Sequence, residues 1–387
     1  MFPGSVFVPP SGDTAGATDH ANIAAATALV SYAATDNRLG IIRISGDYTI
    51  NDVLAFGAPD KKFVILDGMG YSRIAYRGAK TERYALTFAG SGRQRATLCK
   101  DIRLDGFSNC RGIKFDTITY QNLVDNVYVY GTRQLAVNAH FCWGSSLRGL
   151  TMDSFTGVGL FADQFNGCLA ESVCVNYGFG CWYAGESPTS AKSKELQAYE
   201  VANGKAAAEK QYGTNYAQDW PDDIVAAENR ALICIYDGSV QNWQNLVVEN
   251  SHPCEYPTMY NYGSHVRLSG MYNEANSQRN TVFVLLGVAH NPNWFTTLTE
   301  VRDCRPVGGT GCRRSLVELR GTTFGARVTN SVAHKLGKSV IYAADGTHYG
   351  ASVDRFCGAD PVLSAYDWVQ AHQKATLVDP IPEDALA

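Results

Sequence analysis

Between Arg111 and Glu186 the sequence counts in steps of about one coil. Three hydrophobic pairs repeat there, Val127/Val129, Leu150/Met152 and Val173/Val175, at a constant interval (150 − 127 and 173 − 150 are both 23). A leading position repeats with them, from Val124 to Leu147, at the same interval (147 − 124 = 23). A fixed period in the twenties, carried by short alternating strands, specifies a solenoid in which each repeat is one turn. A lone strand of this kind cannot bury its apolar side, so stacked copies must build a shared core.

A second register runs through the same stretch. The tetrapeptides ending at Asp116, His140, Asp163 and Glu186 keep nearly the same interval (140 − 116 = 24, 163 − 140 = 23, 186 − 163 = 23). Side chains alternate faces along a strand. With Ile113, Phe115, Val137, Ala139, Leu160 and Ala162 turned inward, Asp116, His140, Asp163 and Glu186 are expected to face out in one column. Neighbouring strands lie roughly 4.8 Å apart, which stacks these ionisable groups at close range.

After Glu186 the period breaks. The stretch from 187 to about 230 is polar and helical in composition, an insertion of about 28 residues beyond one coil. Insertions in solenoids gather on one face, often the binding face, so this one is expected to wall a cleft. Coils resume near Leu232 and offer Asp237 as the next carboxylate. Two registers stay open there. Either Cys234 and Tyr236 face inward, or Ile233 and Ile235 do, and the second turns Asp237 toward the core, a costly place for a charge. Further apolar strands follow over 282–286, 316–319 and 340–342, after which the pattern fades. Val362 to His372 is expected to form a short terminal helix, with Tyr366 and Trp368 capping the open end of the solenoid.

The chain has 387 residues and a formal net charge of −4, which argues against a phosphate-tracking nucleic-acid binder. Its 11 cysteines include no CxxC pair, and their odd number excludes a complete intrachain disulfide framework, so buried thiols are expected. No long uninterrupted apolar stretch is present, so no membrane span is expected. The opening Met1-Phe2-Pro3-Gly4 lacks a basic segment followed by an apolar run, so no signal peptide is expected.

Positions 1–75 carry a recognisable order of motifs. Ser11-Gly12-Asp13-Thr14 and Ala17-Thr18-Asp19 precede an Ala-rich helix, with Thr18 or Asp19 expected as its cap. Gly46-Asp47-Tyr48 and Leu66-Asp67-Gly68-Met69-Gly70 follow, with Ser45 where the related pattern prefers proline and Asp67 within its glycine turn. This order resembles the N-terminal module of pectate-lyase-like right-handed parallel β-helix proteins, among them phage tailspikes and tail-associated depolymerases. The resemblance implies an all-β right-handed parallel β-helix with an N-terminal capping helix. It also implies a polysaccharide partner, a virion or extracellular setting, and a homotrimer. The expected organisation is a lead-in module over 1–75, the solenoid over 76–350 with its insertion at about 187–230, and a C-terminal cap over 351–387.

The column carries the expected chemistry. Stacked carboxylates repel, which raises one pKa and leaves a proton donor beside an ionised partner. Glycoside hydrolysis needs that pair, one acid for the leaving oxygen and one carboxylate to attack or to activate water. Asp163 and Glu186 are the expected acid/base pair, Asp237 the next carboxylate, His140 a group that orients or shares a proton, and Asp116 a substrate contact. Trp182 shares the outward parity of Glu186 and is the expected sugar platform. A uronate lyase would instead need a cation and a base, for which Lys114, Tyr260, His265 and Arg267 are candidates. The resemblance implies that in such lyases an acidic cluster holds Ca²⁺; the hydrolase reading requires no cofactor. A non-catalytic glycan-binding tail protein is the third reading.

Overall fold

The strands stack in register because each coil repeats the inward apolar positions of the one before. A computed structural model describes residues 4–36, 38–92, 95–176, 195, 198–199, 202–203, 207, 219–249, 256–273, 283–287, 296–297, 299–306, 315–333, 339–355, 357–358 and 369–378. The result is a parallel β-solenoid of about nine turns. The coils stack their strands into three long parallel sheets, and the later coils add a fourth through Thr296–Thr297, Thr323–Phe324, Gly346–Tyr349 and Ala375–Val378. Sheet A stacks Tyr84–Ala89, Arg111–Asp116, Leu135–His140, Val158–Asp163, 233–236, 259–262, Phe283–Gly287, Ser315–Gly321, Ser339–Ala343 and Val369–Ala371. Sheet B runs through 122–125, 146–148, Cys168–Glu171, 241–244, 266–269 and Glu300–Arg302. Sheet C runs through 127–130, 150–153, Cys174–Asn176, Val247–Glu249 and Tyr272–Asn273.

The sequence repeat survives as register. Val124 pairs with Leu147, Val127 with Leu150 and Val129 with Met152. All six are buried, and they form the interior of sheets B and C. One residue turns the chain from sheet B to sheet C, and it is left-handed in every described coil that has this corner. Asp101, Asn126, Gly149, Ser172, Asn245, Gly270, Asp303, Asn330 and Arg355 hold this position with positive φ. Gly, Asn and Asp tolerate that conformation best. Asn126 Nδ2 donates to Asp101 Oδ1 at 2.7 Å, linking two corners.

Aromatic stacking fills the first coils of sheet A. Phe88 lies between Phe56 and Phe115, with ring centroids 4.8 and 5.2 Å away. The N-terminal end is closed by the helix Ala17–Leu29, which buries Ile23 and Ala26 against the sheets. Its cap differs from expectation. Gly16 takes the capping position in a left-handed conformation, and Asp13 accepts from the backbone N–H of Ala15 and Thr18, each at 2.8 Å. Those backbone bonds, that from Thr18 foremost, hold the Asp13 carboxyl below the usual carboxylate range. Asp19 is fully buried and ties the loop to a strand, accepting from Ser11 N at 2.7 Å and Thr49 N at 2.9 Å.

Two expectations for the C-terminal part are corrected. The pattern does not fade after 340–342, because Ser352–Asp354 and Ala375–Val378 continue the stack. Within the helix expected over Val362 to His372, Val369–Ala371 is a strand paired with 341–343. Tyr366 and Trp368 lie outside the described residues.

The cysteines pack as apolar side chains. Cys99, Cys110, Cys142, Cys168, Cys234 and Cys304 are buried free thiols. Burial pushes Cys168, Cys234 and Cys304 up to about 12. Iodoacetamide at neutral pH is expected to leave these six unlabelled in the folded protein and to label them after denaturation, as read by peptide mass spectrometry.

Candidate active site

Sheet A presents the ionisable column on its outer face. His140 pairs in register with Asp116 on one side and Asp163 on the other, so the three stand on consecutive rungs. His140 Nδ1 lies 3.1 Å from Asp163 Oδ2, with the two side chains 40% and 28% exposed, within reach of a ligand. Lys114, two positions before Asp116 on the same face, donates to Asp116 Oδ2 at 2.6 Å. Thr117 donates to the other oxygen at 3.0 Å.

The order along the column is carboxylate, imidazole, carboxylate. Asp116 and Asp163 are therefore two rungs apart, roughly 10 Å by the sheet spacing, rather than adjacent. This changes the expected electrostatics. Partial burial pushes the Asp116 carboxyl up, but the bond and charge of Lys114, with Thr117 and His140, more than reverse it, and it titrates below its ordinary value. Asp116 is thus ionised at neutral pH. Its contribution to stability is present above the unfolded carboxylate range and is lost as pH falls through the depressed native value.

The next rung corrects the column. Asp163 pairs with Tyr236, and Leu160 and Ala162 pair with Ile233 and Ile235. Sheet A therefore passes directly from Val158–Asp163 to 233–236. Glu186 and Trp182 fall outside the described residues. Of the two registers open for the strand after the insertion, the one with Ile233 and Ile235 inward is observed. Tyr236, not Asp237, occupies the column, and the Asp237 side chain is outside the described set. Asn176 is the last described residue of its coil, and the next described strand of sheet A begins at Ile233.

The end of that insertion packs at the start of the sheet A strands. Asp223 pairs with Arg111 at 2.5 Å, and Asp219 bonds Arg133 and Gln134. Trp220 packs on Tyr256 at 4.9 Å. The column stands at the other end of these short strands, roughly 17 Å away at about 3.3 Å per residue. This segment therefore lies at the end of the strands opposite the column.

The proposed lyase set does not assemble. Lys114 and Tyr260 share the outer face of sheet A but are four rungs apart, through Asn138, Phe161 and Cys234. His265 and Arg267 belong to sheet B or its corner. Among the described residues no group of three or more His, Cys, Asp or Glu is placed to hold a metal ion, with Asp116 taken by Lys114 and Asp163 by His140.

Sequence reasoning missed the aromatic surroundings. Phe141 and Trp143, just past His140, stack at 5.3 Å, and Trp143 is 41% exposed. Tyr120 is 59% exposed and packs against Gly144, where a Cβ would come within 2.6 Å of its ring. On the other side, Phe161 lies 5.3 Å from Tyr236, which lies 5.9 Å from Tyr260 and 6.4 Å from Tyr262. The signal is present in the spacing, since Tyr120 and Gly144 are one coil apart. A second polar network on sheet C was also missed. Buried Asp105 accepts from Arg73 at 2.5 Å and Arg103 at 2.8 Å, and Arg103 lies over the rings of Tyr128 and Tyr130. Its buried carboxylate is matched by two cations, which makes it a brace across coils.

Comparison with known proteins gives fold without family. No family model and no curated protein matches the chain. Among solved structures, the Agl-KA catalytic domain superposes with a TM-score of 0.56 at 11% identity, over 98% of this chain and 69% of that one. The chain is a right-handed parallel β-helix. The Dettilon tailspike matches the β-helix with a TM-score of 0.43 at 8% identity, over 97% of this chain and 68% of that one. An alginate lyase from Paenibacillus matches with a TM-score of 0.32 at 9% identity, over 97% of both chains. The β-helix has no helix among its described residues long and apolar enough to cross a membrane.

Proposed function

We propose that this β-helix hydrolyses a polysaccharide at the Asp116–His140–Asp163 column, with inversion at the anomeric carbon. The observation that carries the reading is the rung order, two outward carboxylates separated by one imidazole. Inverting hydrolysis needs carboxyls roughly 6.5–9.5 Å apart so that a water fits beside the sugar. Two rungs give about that separation, and adjacent rungs would give the shorter retaining distance.

The roles follow from the neighbours. Asp116, held ionised by Lys114, is the base that takes a proton from the attacking water. Asp163 and His140 share a proton across their 3.1 Å contact and deliver it to the leaving glycosidic oxygen. The bond between that oxygen and the anomeric carbon breaks as the water oxygen bonds from the opposite side. Trp143, Phe141 and Tyr120 offer apolar faces for neighbouring sugar rings.

The test is incubation with neutral and uronate-bearing polysaccharides, following reducing ends and ultraviolet absorbance together. Reducing ends without new absorbance are expected. Absorbance of an unsaturated uronate would make the protein a lyase, and binding without either signal would make it a glycan-binding module. On the substrate identified, Trp143→Ala is expected to raise KM about threefold to tenfold with kcat little changed, because a stacking platform binds ground and transition states alike. Steady-state kinetics would check this.

A further inference from the structure

Directly after the column, three coils turn from sheet A toward sheet B through corners over 117–120, 141–144 and 164–167. The corners stack rung on rung. Thr117 N donates to His140 O at 2.9 Å, Phe141 N to Asp163 O at 2.8 Å and Gln164 N to Tyr236 O at 2.9 Å. The first and last residue of each corner is left-handed: Thr117 and Tyr120, Phe141 and Gly144, Gln164 and Gly167. Glycine, asparagine and aspartate suit that backbone, and they hold most of the corner between sheets B and C. Beside the column only Gly144 and Gly167 are of these types. The other four positions carry branched or large side chains in a strained conformation, and strain of this kind is kept where a function holds it.

Gln164 is the polar member of this set. It follows Asp163 in the chain and stands one rung past Phe141, whose ring stacks on the exposed Trp143. The Gln164 side chain is partly buried, yet among the described residues nothing bonds its amide, and the amide is open to solvent. Both hydrogen-bonding groups of the amide are therefore available beside Asp163. None of the residues in the three corners is charged.

We propose that Gln164 selects the sugar bound beside the scissile bond, and that this sugar is a neutral pyranose with two adjacent free hydroxyls. The proposal rests on the reading of the column as the place of cleavage and names the sugar class for it. The C–H face of the ring covers Trp143. The Gln164 carbonyl accepts from one hydroxyl while its N–H donates to the next, a match that adjacent hydroxyls, each both donor and acceptor, complete. An uncharged corner flanked by the Asp116 and Asp163 carboxylates offers a uronate repulsion and no counter-charge.

The experiment is native affinity electrophoresis in gels containing dextran, laminarin, mannan or polygalacturonate. All proteins carry Asp163→Asn, so that bound glycan is not cleaved, alone or with Gln164→Met or Gln164→Asn, and melting temperatures are measured in parallel. At least one of the three neutral polysaccharides is expected to retard the Asp163→Asn protein, and polygalacturonate is not. Gln164→Met keeps the side-chain length and removes both hydrogen-bonding groups, so it is expected to weaken binding about tenfold. Gln164→Asn draws the amide back by one carbon but suits the left-handed backbone better. It is expected to weaken binding similarly while melting at the Asp163→Asn temperature or above, a combination that a purely structural glutamine would not give. Retardation by none of the neutral polysaccharides, retardation by polygalacturonate alone, or undiminished affinity in Gln164→Met would each overturn the proposal. Reducing-end assays without Asp163→Asn separate this failure from that of the column. Cleavage by Gln164→Met at the parent kcat/KM strikes the role of Gln164 and leaves the column, whereas Gln164-dependent binding without cleavage by the parent strikes hydrolysis and leaves the sugar site.

Discussion

Asp163→Asn is expected to lower the rate of glycan cleavage about 10²–10⁴-fold, the usual worth of a positioned general acid. The fold should not register the change. Asp163 is at the end of its strand on the outer face, about a quarter exposed, and asparagine still offers an oxygen to His140 Nδ1. A melting temperature within a few degrees of the parent is expected, which separates lost chemistry from lost structure. Asp116→Asn should cost at least about 100-fold by the same reasoning, since an amide cannot take the proton of water. A Trp143 variant, by contrast, should act through KM.

Phe88→Ala is expected to destabilise the β-helix by about 3–5 kcal/mol. Phe88 is 1% exposed and stacks on Phe56 and Phe115, so its removal opens a cavity between three coils. Those neighbours are held by strands paired above and below and can collapse only in part. Solenoid stability is a sum of repeats and nearest-neighbour interfaces, so the loss should be local. Hydrogen exchange should quicken over 84–116 and leave Ser315–Gly321 and Ser339–Ala343 near their parent rates. Phe88→Leu, which keeps most of the volume, should cost much less. Urea unfolding and exchange mass spectrometry would measure both.

What the sequence carried was periodicity, and what it lost was continuity. Asp116, His140 and Asp163 could be aligned because each coil between them has nearly one length, and strand register preserved that alignment. Glu186 has the same spacing and lies outside the described residues. The rung after Leu160 in sheet A comes from Ile233. Asp237 failed for a related reason: every residue from Ala231 to Ile235 is apolar, so alternation gave no parity, and the register was fixed only by pairing with Leu160 and Ala162. The terminal helix was misjudged because a short apolar run fits either period. At the N-terminus, Asp19 is the residue that joins loop to sheet, and Asp13 took the capping role that Thr18 or Asp19 was expected to fill.

The position of the two carboxylates makes a prediction that activity alone would not test. The measurement is proton NMR of the first product released from the cleaved polysaccharide, taken before mutarotation equilibrates the anomers. The two-rung separation of Asp116 and Asp163 leaves room for water opposite the leaving group, and the product should appear with the anomeric configuration opposite to that of the bond broken. A product of the same configuration, or an unsaturated uronate in its place, would contradict the assignment of these residues as acid and base.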